Sequence, residues 1–169
     1  MKNKNIFKTS LKIPASVKFQ IKQNLLFLKA SEGSVCLNIS FFASKKLNLI
    51  NKKINLSSFF RLFQKSVVGV SLSFVIRLAF VGVGFRVESI ENNFIKLKLG
   101  FSHLVFIKIP FYVEVFAPQK TSLVLKSFDE QLLKEFCSRI CFFRVPDFYK
   151  AKGIHYKNET LILKEGKKK

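Results

Sequence analysis

One short pattern occurs twice in this chain, and it constrains the fold more than any other feature. Ile13-Pro14 is followed, after two residues, by Val17-Lys18-Phe19, a turn, and Leu26-Phe27-Leu28-Lys29. Ile109-Pro110 is followed, after two residues, by Val113-Glu114-Val115, a longer turn, and Leu123-Val124-Leu125-Lys126. In each copy apolar and polar residues alternate before the turn, the period of a half-buried strand. The first copy sets Val17, Phe19 and Ile21 against Lys18, Gln20 and Lys22. Each copy therefore predicts a hairpin, and a helix follows each at a different distance. The fold expected is α+β, an internal duplication of two small domains, each an antiparallel sheet with a packed helix. The domains expected are 1–73 and 74–169.

The first hairpin turns at Gln23-Asn24, and Ser31-Glu32-Gly33 marks another turn. Val35–Phe42 and Lys46–Ile50 are further strand candidates. Ser57 or Ser58 is expected to N-cap a short helix with Phe59, Phe60, Phe63 and Val67 inward, ended by Gly69. Val67–Phe85 is the most apolar run, but Arg77 lies at its centre and Gly69, Gly82 and Gly84 interrupt it. A charge at mid-bilayer costs about 2.5–3.5 kcal/mol, so the run reads as a turn and a buried strand over Val75–Val83. No stable membrane insertion is expected. Asn92-Asn93 joins Arg86–Ile90 to Phe94–Leu99 as another hairpin, Gly100–His103 is a loop, and Val105–Ile109 is a strand. In the second repeat, Pro118–Thr121 is the expected turn. Ser127-Phe128-Asp129-Glu130 reads as a capping box. Leu132, Leu133, Phe136, Cys137, Ile140 and Cys141 follow as one apolar stripe, with Pro146 ending the run.

Charge narrows the partner. The net charge is +20, from 30 Lys and Arg against 10 Asp and Glu. Through Arg86 the only acid is Glu32, against 15 basic residues. Such an excess on a chain that is 49% hydrophobic calls for a polyanion to offset its self-repulsion. Nucleic acid is the first candidate and an anionic membrane surface the second. Three cysteines with no CxxC indicate neither a disulfide framework nor a zinc site. No phosphate loop, Ser/His/Asp set or metal-ligand cluster is present, so no enzyme, cofactor or small-molecule substrate is expected. Met1–Ile13 is basic and acid-free but lacks arginine, and it is not read as a targeting segment. The abundance of Phe, Lys, Asn, Ile and Leu, with no Trp, suggests an A+T-rich genome of an organelle or reduced bacterium.

Arg144–Tyr156, RVPDFYKAKGIHY, concentrates the candidate contacts on a stretch expected to be largely irregular. Lys150 and Lys152 are candidates for phosphate, with Arg144 beside them, and Gly153 permits close backbone approach. Tyr149 and Tyr156 either stack on a base or ribose or pack against their own domain. His103 either touches RNA or braces its loop. Arg77 and Arg86 each either reach RNA or pair with one of the few acids.

Four blocks carry a family resemblance: LAFVGVGFR (Leu78–Arg86), LKLGFSH (Leu97–His103), the helix Ser127–Phe143, and RVPDFYKAKGIHY with its closing KEGKKK. They resemble bacterial-type large-subunit ribosomal protein six. The first half matches more loosely, through IPASVKFQIKQNLLFLKASEG, and residues 40–56 lack a match. The family's last block typically reads Arg-Pro-Pro-Glu-Pro-Tyr-Lys-Gly-Lys-Gly-Ile-Arg-Tyr. The resemblance implies a structural rRNA-binding protein of the large subunit, in two α+β domains of the same fold. It also implies that the second domain sits near the sarcin–ricin loop, where translational GTPases dock. Implied partners are large-subunit rRNA, neighbouring large-subunit proteins and nearby elongation factors. Implied rRNA-binding residues are Arg144, Tyr149, Lys150, Lys152, Gly153, His155, Tyr156, Lys164, Lys167, Lys168 and Lys169, with Arg86, Ser102 and His103 as further candidates. Three departures stand out. Asp147-Phe148 replaces Glu-Pro and makes the turn less rigid. Ala151 replaces Gly, which works against close backbone approach to phosphate. His155 replaces Arg, exchanging a permanent bidentate donor for an imidazole ring. This drift and the composition fit a mitochondrial ribosome, with a plastid or bacterial cytoplasm as alternatives. A basic peripheral membrane protein remains the alternative function.

Overall fold

The computed structural model describes residues 13–23, 25–30, 33–38 and 49–166, with the backbone alone at 49–57. It is α+β with antiparallel sheets, as expected. The chain divides into two compact units, the second beginning at Ser73.

In the first unit, β1 (Lys18–Lys22), β2 (Leu25–Lys29) and β3 (Ser34–Asn38) form an antiparallel sheet in that order. Helix α1 (Leu49–Leu72) packs on β2 and β3. The core holds Val17, Leu26, Leu28 and Leu37 from the sheet side and Phe63, Val67 and Val70 from α1. Two sequence expectations are corrected. Phe19 and Ile21 do alternate, yet they are 58% and 59% exposed. They sit on an end strand, while the helix lies on the other two; among these three residues only Val17 is buried. The helix is also much longer than expected. It already includes Leu49 and Ile50, read as strand, and it passes Gly69 before ending at Leu72. A glycine costs a helix about 1 kcal/mol. Burying Val70 completely, one residue later, contributes about 1.5–3 kcal/mol and outweighs it. Ser73, at φ 54°, takes the left-handed exit conformation instead. Most of Met1–Ile13, Ser31, Glu32 and residues 39–48, with the strands expected there, lie outside the described residues.

In the second unit, β4 (Phe74–Val81), β8 (Glu114–Gln119), β9 (Ser122–Ser127) and β10 (Gly153–Tyr156) make a sheet in the order β10-β4-β9-β8. Strands β5 (Arg86–Glu91), β6 (Phe94–Lys98) and β7 (Val105–Lys108) form a second sheet. Asn92 and Asn93, at φ 50° and 62°, make the two-residue turn between β5 and β6. Helix α2 (Glu130–Phe142) packs on β9, β10 and β4. One core joins both sheets and the helix, through Leu78, Val87, Ile95, Leu97, Leu125, Leu133, Ile140 and Ile154 among others.

The repeat holds at the level of hydrogen bonds. Val17 N donates to Pro14 O at 3.0 Å, and Val113 N donates to Pro110 O at 3.1 Å. The register matches as well. Lys18, Phe19 and Gln20 face Lys29, Leu28 and Phe27, while Glu114, Val115 and Phe116 face Lys126, Leu125 and Val124. The extra residue of the second copy is absorbed by a bulge between Phe116 and Gln119. That bulge keeps Pro118 inside an edge strand, where its missing N–H does no harm; the turn expected over Pro118–Thr121 is therefore confined to Lys120-Thr121.

The capping box is also corrected. Asp129 caps α2, its Oδ1 accepting from Gln131 N at 2.8 Å and Leu132 N at 3.3 Å. Ser127 is unavailable because it ends β9, is buried, and donates its hydroxyl proton to Tyr112 O at 2.7 Å.

Candidate nucleic-acid interface

After α2 the chain turns at Phe143, runs through Pro146, makes a tight loop over 147–152 and enters β10 beside β4. Only part of Arg144–Tyr156 is irregular, since its last four residues are a strand. The loop closes on itself. Asp147 N donates to Lys152 O at 3.0 Å, and Ala151 N donates to Asp147 O at 2.9 Å. Asp147 Oδ1 accepts from Tyr149 N at 3.3 Å, bracing the turn from within although the family's proline is missing. Lys150 and Lys152 project from this loop, and both are exposed. Ala151 holds φ 54°, a conformation that suits glycine and strains any residue with a Cβ. A glycine at this position would hold the same conformation without strain.

Gly153 is buried rather than offered to a ligand. A Cβ on it would lie 2.6 Å from the Pro146 backbone and 2.9 Å from Arg144 O. The glycine lets β10 pass directly beneath the Arg144–Pro146 backbone, where Ile154 N donates to Arg144 O at 2.9 Å. Tyr156 packs against the core, and burial pushes its phenol above its ordinary pKa. Tyr149 is exposed. The His155 ring sits half-buried, with Nδ1 3.0 Å from Tyr156 O. Lys164 returns to the loop. Its N donates to Phe148 O at 2.9 Å, and its ammonium lies 5.8 Å from the Phe148 ring centre. Lys167, Lys168 and Lys169 lie outside the described residues.

Arg144 links this segment to the other two sequence blocks. Its guanidinium lies 5.1 Å from the Phe101 ring centre and 5.8 Å from that of Phe85. Phe85 is buried, and Gly82 and Gly100 make room for it. A Cβ at Gly82 would come within 2.9 Å of the Phe85 ring, and one at Gly100 within 3.0 Å. Phe101 in turn stacks on His103, with centroids 5.7 Å apart and planes 15° apart. Thus VGVGF, GFSH and the start of the last block meet around two phenyl rings. In the sequence, only the flanking glycines mark Phe85 and Phe101. Ser102 is exposed in the same loop. Arg86 pairs with Glu88 at 2.7 Å, and its hydrogen bond holds that carboxyl below its usual range. Arg77 is exposed, lines an open groove with Lys134, Tyr156 and Asn158, and has no ion pair among the described residues.

Ion pairing in the second unit is uneven. Glu88, Glu91, Glu114, Glu130 and Glu135 are matched to Arg86, Lys96, Lys126, Lys134 and Arg139. Among the described residues, no acid is matched to Arg144, Lys150 or Lys152. The segment thus presents three cations without ion pairs among the described residues, while five glutamates of the sheets and helix are paired within the same sheet or helix. The described residues contain no group of side chains able to hold a metal ion. None of their helices is long and apolar enough to cross a membrane.

No protein-family model matches the chain. Individual relatives do. It is 32% identical to the large ribosomal subunit protein uL6 of Buchnera aphidicola, covering 97% of this chain and 98% of the relative. It is 35% identical to that of Cellvibrio japonicus and 33% to that of Dichelobacter nodosus, with the same coverage. The chain belongs to the uL6 family of large ribosomal subunit proteins. Membership over nearly its full length includes the first unit, where the sequence resemblance is weaker.

Proposed function

We propose that this chain is a structural constituent of a large ribosomal subunit, binding rRNA through Arg144–Tyr156 and the basic residues that follow. The observation that carries this reading is the closed loop at 147–152. It presents Lys150 and Lys152, exposed and without an ion pair among the described residues, on a scaffold where five other Lys and Arg residues are paired with Glu. Lysines held this way neutralise phosphates and set the protein's position without reading sequence. Family membership supports a position near the sarcin–ricin loop, beside the docking ground of elongation factors and among other large-subunit proteins. A structural role needs no catalytic group. The membrane alternative loses ground because the apolar stripe of α2 is spent on the core: Leu133, Phe136, Cys137 and Ile140 are buried.

A+T-rich composition favours a mitochondrial ribosome, and the bacterial relatives favour a bacterial cytoplasm. Fractionation of source cells, with this chain followed by mass spectrometry, separates the two. Binding of the full chain to a transcript of the source's large-subunit rRNA, across a salt series, tests the function. Phosphate contacts predict a steep linear fall of log K with log salt. A salt-independent K, or no binding, would overturn the reading.

A further inference from the structure

Arg144, Phe101 and His103 form a cluster of flat groups at the surface. His103 and Arg144 are exposed, and Phe101 is 36% exposed. The Arg144 guanidinium sits at cation–π range of Phe101, and the Phe101 and His103 rings are close to parallel. The base of the stack is rigid. Phe85 is lodged in the space left by Gly82 and Gly100, and Arg144 is fixed over it. The Arg144 carbonyl is tied to β10 through Ile154 N. The same backbone leads within three residues to the Asp147–Lys152 loop. Rigid, exposed aromatic surface beside unpaired cations is the arrangement that holds an unstacked base, because every base has a π-face and its own phosphate falls among the cations.

Resting on the rRNA reading above, we propose that the Arg144–Phe101–His103 stack is the platform for one unpaired nucleobase, stacked against the His103 ring. The lysine loop contributes charge, and the platform contributes a contact that salt does not screen. His103 is then a binding residue through its plane, which a phenyl ring reproduces and an aliphatic side chain does not.

The test uses the full chain and a transcript of the source's large-subunit rRNA, with affinity measured across a salt series. His103→Phe is expected to bind within about twofold of the native chain. His103→Leu and His103→Ala are expected to bind about 5- to 150-fold more weakly at every salt concentration, with an unchanged salt slope. His103 is exposed, so unchanged thermal melts verify that these variants fold. Native affinity in His103→Leu would overturn the platform, as would a salt slope reduced by about one in His103→Phe, which would mark an ionic contact. Failure of the native chain to bind the transcript would instead overturn the rRNA reading, and the platform with it.

Discussion

The hairpins β1–β2 and β8–β9 begin with the same proline turn, keep the same register and bury equivalent leucines, yet they support different amounts of structure. Leu28 and Leu125 occupy equivalent positions, and both are fully buried. Around Leu28 lie a three-stranded sheet and one face of α1. Around Leu125 lie a four-stranded sheet, a second sheet and α2, in one continuous core. The first hairpin leaves Phe19 and Ile21 exposed. The second is extended by β4 and β10, and β10 carries the last residues of the basic segment. A duplicated folding unit thus does not duplicate a site. The candidate site lies where later chain, residues 144–156, is added to the second copy.

Truncation at the equivalent leucines probes this difference most strongly. Leu125→Ala is expected to destabilise the second unit by about 3–5 kcal/mol, and Leu28→Ala the first by about 2–3 kcal/mol, because a smaller core collapses more readily into a cavity. Hydrogen exchange of β9 and β2 amides measures both. Equal losses would mean the two cores are equally well packed. Gly153→Ala should cost about 3 kcal/mol, because its methyl group meets backbone rather than a movable side chain. Thermal melting followed by near-ultraviolet tyrosine signals suits it, since all three tyrosines lie in the second unit.

Changing Lys150 and Lys152 together to Ala should leave stability within about 0.5 kcal/mol. The salt slope of RNA binding should fall by about 1.4–1.8. A variant that lost stability instead would show the loop to be structural. Ala151→Gly is expected to gain about 0.5–1 kcal/mol by relieving the left-handed alanine; a loss in urea melts would contradict the strain. The smallest effect is a difference in thiol reactivity. Cys36 in the first unit is exposed, whereas burial pushes the Cys137 and Cys141 thiols up to about 12 and about 11. Iodoacetamide at pH 8 should therefore modify Cys36 readily and the other two only after unfolding. Prompt labelling of Cys137 would show the second core to be open.

Much of this architecture was legible in sequence because short-range chemistry set it. Asn92-Asn93, the proline turns and the stripe of α2 each specify their element locally. What escaped was decided at longer range. The length of α1 depends on Val70 finding a core beyond Gly69. The cap of α2 moved to Asp129 because Ser127 was claimed by Tyr112. Lys150 and Lys152 could be singled out as exposed cations. The buried role of Gly153 could not, because it depends on how the backbone after α2 folds over β10; nor could the convergence of Phe85 and Phe101 on Arg144, since Phe85 and Arg144 lie 59 residues apart in sequence.

The most direct test of the central claim is sedimentation of ribosomal subunits from the source cells in graded salt, with this chain followed by mass spectrometry. The account predicts co-migration with the large subunit at low salt and release at high salt, at a lower salt concentration when Lys150 and Lys152 are both Ala. A chain that remained at the top of the gradient, or travelled with lipid at every salt concentration, would contradict it.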